Sequence, residues 1–495
     1  MRTERKQEEK QRNNKNKFTF ILGIVYTITV LAFLITTFIV NVLPIFYFAV
    51  LIVVLVLISL PILISLFKNG RLKRSGREIK EPKKKTVASI FAVIMILIMG
   101  IGTYYMTNTL DFFGKISADK QTHNFYVIVK ADSKYERLDD IDGKIVGIQK
   151  YEDDIYKEAQ QNLKDKISVD FEAVGNFDDL AKALLKGSNE VIFMNSAYYE
   201  MALEEVDGFT KETTRILEDI DITVKAETNV KKVDVTKESF NVYISGIDTT
   251  GSIGNISRSD VNMIMTVNPK TKTILLTSIP RDYYVKLASK GQMDKLTHSG
   301  LYGIDETTST IENLLGIDIN YHIKVNFTTV VKLVDTLGGI TVNSDYSFSA
   351  KGMDGVRYNF NAGSNNINGQ AALAFSRERY SFASGDNQRV KNQQAVLTGI
   401  IKKCTSSTSI LTNYNGILNS VEDNIQTNMS KSDITSLVKM QLGDMSGWTI
   451  KQCSLKGTGK STPVYSIPNY SVYVMVPDEA SVSEAKQQIT SVMNQ

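Results

Sequence analysis

Five arginines, a glutamine and a few carboxylates recur at short, regular spacings in the second half of this chain. Asp248 follows the apolar run YISGI, Arg258 and Asp260 sit two apart in SRSD, and Arg281 and Asp282 follow SIP. Arg377 and Arg379 are two apart in SRER, and Arg389 and Gln393 are four apart. Spacing by two on an extended segment puts both side chains on one face, as spacing by four does on a helix. Five guanidinium groups on convergent elements suit a polyanion, because the planar fork matches phosphate oxygens two at a time. Asp248 and Asp260 in the same site would repel a bare anion. Mg2+ held by these two carboxylates removes the conflict, since it is commonly bound by one or two carboxylates plus substrate phosphates, and a pyrophosphate becomes the expected ligand. Any one of these arginines alone reads as a surface or salt-bridge residue, and Asp386 with Arg389 reads equally as a helix-start ion pair.

In an open α/β sheet, ligands sit at the carboxyl ends of the strands, which is where this set falls. The strands are FNVYISGID, VNMIMTV and KTILLTSI, the last two joined through the turn NPKT. Helical patterns follow over residues 305–315 and 326–337, ending at Gly316 and at Gly338-Gly339, and QRVKNQQAVLTGIIKKC reads as an amphipathic helix. The faces TTVVKLVDTL and VLTGII serve either to line an apolar cavity or as ordinary core. SRER is expected to be extended, aiming Arg377 and Arg379 the same way. A smaller α/β domain precedes this unit. FYVIV, KIVGIQ, ISVDFEAV and EVIFMN read as its strands, YEDDIYKEAQQNL as a helix, and NFDDLAKALLKG as a helix capped by Asn176 and stopped by Gly187. Residues 210–236 read as a connector. SLKGTGKST approaches a phosphate-binding P-loop, but Ser454 stands where that motif needs glycine, so a flexible loop is expected.

The chain has 495 residues with 57 Lys/Arg and 53 Asp/Glu, unevenly placed. Residues 1–17 carry seven basic against three acidic residues and 68–86 carry nine against two, leaving 41 basic and 48 acidic elsewhere. An acidic remainder argues against a nucleic-acid role. Residues 18–67 hold no charge and are broken at Asn41 and Pro44, and 86–110 form a third uncharged stretch. A 23-residue helix rises roughly 34 Å, enough for a ~30 Å hydrocarbon core. The expected organisation is a cytoplasmic basic tail (1–17), three membrane helices within 18–110 (about 18–40, 45–67 and 87–107) joined by the basic loop 68–86, and an accessory domain (111–230). A larger domain over 231–495 follows, layered α/β/α around a mixed sheet. The positive-inside rule puts both basic clusters in the cytoplasm and the rest of the multi-pass protein outside. Cys404 and Cys453 allow one disulfide, with two unpaired thiols the plainer reading. Three scattered histidines disfavour a histidine metal site or a Ser-His-Asp triad.

Taken in order, GID…SRSDVNMIMTVNP…ILLTSIPRD, LVDTLGGITV and GQAALAFSRERYSFASGDNQRVKNQQ make residues 240–403 similar to the LytR-CpsA-Psr family. The three spans and accessory domain resemble the CpsA-type capsule proteins of streptococci. The resemblance implies an extracellular phosphotransferase that moves a glycan from a polyprenyl-pyrophosphate carrier to peptidoglycan through a phosphodiester. Membrane lipid and other capsule-assembly membrane proteins would be further partners. By motif, Asp248 and Asp260 would hold Mg2+, and Arg258, Arg281, Arg377, Arg379, Arg389 and Gln393 would grip the pyrophosphate. Asp386 would orient its arginine partners. Asp248, Asp260, Arg281 and Arg379 would form the catalytic set, with the base for the acceptor hydroxyl sought in Asp248 or Asp260. Lys295 in MDKLTHSG matches a head-group lysine, but Leu296, Thr297 and His298 depart from the usual Ile-Asn-small continuation, and Ile304 replaces a second glycine. The same residues would also serve a lipid-glycan sensor, or a pyrophosphatase in which water replaces the sugar hydroxyl.

Overall fold

The computed structural model describes residues 2–41, 43–68, 83–116, 120–150, 154–225, 230–247, 253–383, 385–406, 414–422 and 424–495. The chain divides into two compact units, one of Met1–Lys115 with Tyr414–Asn419 and Lys431–Ser446, the other of the remainder from Ile116 onward. In the first unit, helices Arg2–Val40, Ile45–Phe67 and Lys83–Lys115 contain three segments long and apolar enough to cross a membrane: 16–40, 45–67 and 84–109. Tyr26 and Ser59 share a buried 2.8 Å hydrogen bond between the first two helices, the kind of polar contact that fixes helix pairs in lipid. Most of the basic loop, 69–82, lies outside the described residues.

The second unit opens with a five-stranded sheet in the order Val169–Gly175, Lys144–Gln149, Val191–Asn195, Lys120–Lys130, Thr214–Lys225. The last strand falls where a connector was expected over 210–236. Its sequence TRILEDIDITVK pairs antiparallel with Lys120–Lys130, with one register shift at Val127/Ile128, burying Ile220 and Ile222 while Asp219 and Asp221 beside them are exposed. The alternation is that of a half-buried strand whose charges mask its apolar face. Helix Phe177–Lys186 begins after Asn176 and ends at Gly187 in the left-handed conformation. At Thr122 this sheet pairs with the 254–256 segment of the larger domain: Thr122 N donates to the Gly254 carbonyl and Ile256 N to that of Thr122.

The larger domain is built on a six-stranded mixed sheet, in the order Ile425–Thr427, Tyr321–Asn326, Phe240–Ile247, Val261–Asn268, Thr273–Ile279, Thr449–Ser454. Tyr321–Asn326 runs parallel to Phe240–Ile247 and Thr449–Ser454 to Thr273–Ile279, while the neighbours between them are antiparallel. Successive side chains alternate between faces. Tyr243, Ile264 and Leu275 pack with Ile311 and Leu315 of helix Ile304–Leu315 and with Ile489 and Val492 of helix Glu479–Met493. Ile244 and Met263 face the opposite layer, made by helices Phe327–Thr336, Gly369–Arg377 and Asp386–Ser406. The result is the expected three-layer arrangement.

Two local expectations change. The GTGKST segment is not a flexible loop but lies in strand Gly457–Val464, paired antiparallel with Ile467–Pro477. SRER is not extended throughout, because Arg377 is the last residue of helix Gly369–Arg377, capped by the Asn368 side chain, and Glu378 leaves it in an extended conformation. Cys404 and Cys453 are free thiols. At Gly369 two helices on the site's face meet closely, since a Cβ there would lie 2.2 Å from the Val331 carbonyl oxygen. Gly369→Ala is therefore expected to destabilise the domain by about 2 kcal/mol or more, as overpacking against backbone does, and to lower the thermal midpoint of the full chain.

Candidate functional site

Three backbone segments at one end of the six-stranded sheet lock together. Asp260 N donates to the Gly246 carbonyl, Ser259 N to Thr297, and Thr297 N to Arg281. Gly300 permits the close approach, because a Cβ there would come within 2.5 Å of the Ser257 carbonyl. Asp260, just before strand Val261–Asn268, and Arg281, just after strand Thr273–Ile279, are thereby brought together. Arg281 Nη1 donates to Asp260 Oδ1 at 2.7 Å, and Arg281 Nε stands 3.7 Å from Asp282. Arg389, in the first turn of helix Asp386–Ser406, has its Nη2 2.5 Å from Asp386 Oδ1.

These residues form the mouth of a cavity of about 420 Å3 that Asp260, Arg281, Arg377, Arg379, Arg389 and Gln393 all line. Behind them the walls are apolar: Ile247 and Val325 beside the sheet, Phe327 and Val330 on one helix, Val396, Leu397 and Ile400 on another. The helix faces in TTVVKLVDTL and VLTGII thus line a cavity. Arg377 lies over the Phe327 ring at 4.6 Å, while Arg379 stacks on Tyr380 and donates to its hydroxyl at 2.7 Å. A cationic rim on an apolar shaft fits an amphiphile with an anionic head and a hydrocarbon tail.

The electrostatics of the rim call for an anion. Burial pushes the Asp260 carboxyl up, but Arg258, Arg281 and Arg389 together outweigh it and hold the group below the usual carboxylate range, so it is ionised. Burial pulls Arg281 down, and Asp260 and Asp282 more than reverse this. Arg389 is the exception: burial, with the like charges of Arg281 and Arg379, outweighs Asp386 and leaves it below the ordinary guanidinium range. The buried Nε–H groups of Arg281 and Arg389 make no hydrogen bond. A buried donor without an acceptor is costly, and phosphate oxygens are the acceptors that match a guanidinium fork.

Two predicted grips are engaged elsewhere. Arg258 does not line this cavity, and both its terminal nitrogens donate at 2.7 Å to Glu204, at the end of the accessory helix Ser196–Glu205. Lys295 is buried and stands 3.8 Å from Asp282 and 3.9 Å from Glu205. Asp248 lies outside the described residues. Glu204 also lines the cavity, and nothing local in the sequence marks it, because it reaches the site through docking of a separate sheet. Among the described residues no three His, Cys, Asp or Glu side chains gather as a metal site. The ionised carboxylate of Asp260, beside Arg281, fits a cation that takes most of its ligands from substrate phosphates and water. Ser466, His298 and Asp294 do meet, but the serine and the aspartate both contact His298 Nδ1 at 2.8 Å. A relay needs one partner on each ring nitrogen, so this cluster is a buried polar tie.

The LytR_cpsA_psr family model matches residues 206–490, more than half of the chain and every lining residue of this cavity named above except Glu204. The chain belongs to the LytR_cpsA_psr family. It is 38% identical over 267 residues to the polyisoprenyl-teichoic acid–peptidoglycan teichoic acid transferase TagU of Bacillus subtilis (strain 168), covering 54% of this chain and 82% of that protein. It is 36% identical over 254 residues to TagU of Enterococcus faecalis (strain ATCC 700802 / V583), covering 50% and 79%. The crystal structure of B. subtilis TagU covers 52% of this chain and 98% of its own, with 36% identity and a TM-score of 0.41. A structure of TagT bound to LIIa-WTA covers 54% and 95%, with 28% identity and a TM-score of 0.43. The matched span makes the cavity-lining arginines part of the LytR_cpsA_psr domain, and Glu204 falls just before it.

Proposed function

We propose that this protein is a membrane-anchored transferase that moves a cell-wall or capsular glycan, with one phosphate, from a polyprenyl-pyrophosphate carrier to peptidoglycan. The observation that carries this reading is the pair of unsatisfied, buried guanidinium Nε–H groups at the mouth of an apolar shaft. The names of the TagU relatives, which describe transfer of a polyisoprenyl-linked polymer to peptidoglycan, support it. The basic clusters at 1–17 and 68–86 favour a topology with the site outside the membrane.

In this mechanism the polyprenyl chain enters the shaft, and Arg281, Arg377, Arg379 and Arg389 hold the pyrophosphate at its mouth, with Gln393 beside Arg389. A hydroxyl of the acceptor bonds to the phosphorus that carries the glycan. The bond from that phosphorus to the bridging oxygen breaks, and its electron pair leaves with polyprenyl phosphate. The hydroxyl proton passes to a base, for which Asp260 is the described candidate. Positioning and charge neutralisation supply most of the rate in such transfers. Asp260 and Asp248 would hold Mg2+, which when bound supplies further neutralisation of the pyrophosphate oxygens.

The test incubates the purified full chain with a polyprenyl-pyrophosphate glycan and peptidoglycan fragments. A covalent glycan-peptidoglycan product is expected. Release of free glycan phosphate alone would instead indicate hydrolysis, and binding without turnover a receptor. Chelation by EDTA is expected to lower transfer by roughly 100-fold or more, with recovery on adding Mg2+. Transfer that is indifferent to EDTA would remove the metal from the mechanism.

A further inference from the structure

A second cavity, of about 630 Å3, meets the first at Asp260, the one lining residue the two share among the described residues. One of its walls is the accessory domain, through Tyr126, Glu200, Lys211 and Thr214, and another is the 255–260 segment, through Asn255 and Ser257. The accessory wall is braced: the Tyr126 ring packs edge-on against Tyr199 at 5.5 Å, and the backbone pairing at Thr122 ties its sheet to the opposite wall.

The chemistry here differs from that of the first cavity. Lys211 stands 3.7 Å from Glu200, Arg258 is held by Glu204 and Asp260 by Arg281, so each of these charges already has an internal partner. A polyanion gains little from such a surface. An aromatic ring, hydroxyls, an amide and paired charges offer donors and acceptors of both kinds, the mixture that suits a polyhydroxylated ring. The Ser257 hydroxyl is buried there without a hydrogen-bond partner. Reaction geometry points the same way. Attacking and leaving oxygens lie roughly in line across phosphorus. With the lipid phosphate leaving toward the apolar shaft, the attacking hydroxyl must reach Asp260 from another wall. We infer that this second cavity is the acceptor-saccharide subsite and that the accessory domain exists, at least in part, to build it. The inference rests on the transferase reading above.

The experiment uses the full chain in detergent micelles with two probes: geranyl pyrophosphate for the first cavity and a peptidoglycan tetrasaccharide for the second. Glu200→Gln combined with Lys211→Ala, both at the surface, is expected to weaken tetrasaccharide binding and raise the acceptor KM by about 10-fold, with kcat and geranyl pyrophosphate affinity kept. Tyr126→Leu is expected to do the same, and Tyr126→Phe, which keeps the ring, to do so less. Unchanged tetrasaccharide binding in these variants overturns the subsite, as does a parallel loss of geranyl pyrophosphate binding. Failure of the wild-type chain to bind geranyl pyrophosphate would instead bring down the transferase reading, whatever the tetrasaccharide does.

Discussion

Replacing Arg281 with alanine is expected to lower kcat/KM for transfer on the order of 1,000-fold while the full chain stays folded. The size follows from the group's position. Arg281 is the guanidinium at the mouth that holds Asp260 and still has a buried N–H without an acceptor. Losing one preorganised donor to a developing oxyanion costs about 100-fold to 1,000-fold, and losing an arginine that neutralises a transferring phosphoryl group about 1,000-fold to 100,000-fold. Arg281→Lys keeps the charge but not the fork, so it should recover only part of the rate. Steady-state transfer by the purified variants, with circular dichroism as the check on folding, measures this. Rates within about threefold of wild type in Arg281→Ala would mean that the reaction does not occur at this cavity.

How much of this was legible in the sequence depends on how local each signal is. The helix carrying Arg389 and Gln393 announces itself through its apolar period, and both residues line the cavity as the four-residue spacing implied. Helix Gly369–Arg377 is equally legible, because QAALA is made of strong helix formers after an Asn368 cap, but the two-apart arginines at its end carry the opposite, extended signal. The strand Thr214–Lys225 was hidden because its exposed positions are heavily charged. The Arg258–Glu204 pair spans 54 residues and two sheets, so no spacing rule reaches it. The apolar shaft lay between these cases. Its helix faces were visible, but whether they closed on solid core or on a cavity depends on how far apart the layers sit.

Asp260→Asn separates grip from chemistry. The carboxylate neutralises part of the rim, so removing its charge leaves Arg258, Arg281 and Arg389 more electropositive. Geranyl pyrophosphate in the absence of divalent cation should therefore bind at least as tightly to the variant as to wild type. Added Mg2+ should tighten binding to wild type and not to the variant, since a carboxamide is a poor substitute for a carboxylate on a hard cation. Transfer should fall on the order of 1,000-fold, because the variant loses both the metal carboxylate and the described candidate base. Stability should follow the sign of the carboxyl's shift. A group whose folded pKa lies below its unfolded value stabilises above that unfolded value, about 3.9 for aspartate, and the contribution fades as pH falls through the folded pKa. Wild type should accordingly lose this increment on acidification and the variant should lack it throughout, so their unfolding free energies differ most near neutrality and converge in acid. Binding and stability that respond in this way while transfer survives would acquit Asp260 of any part in the chemical step and leave it a ligand of the cation alone.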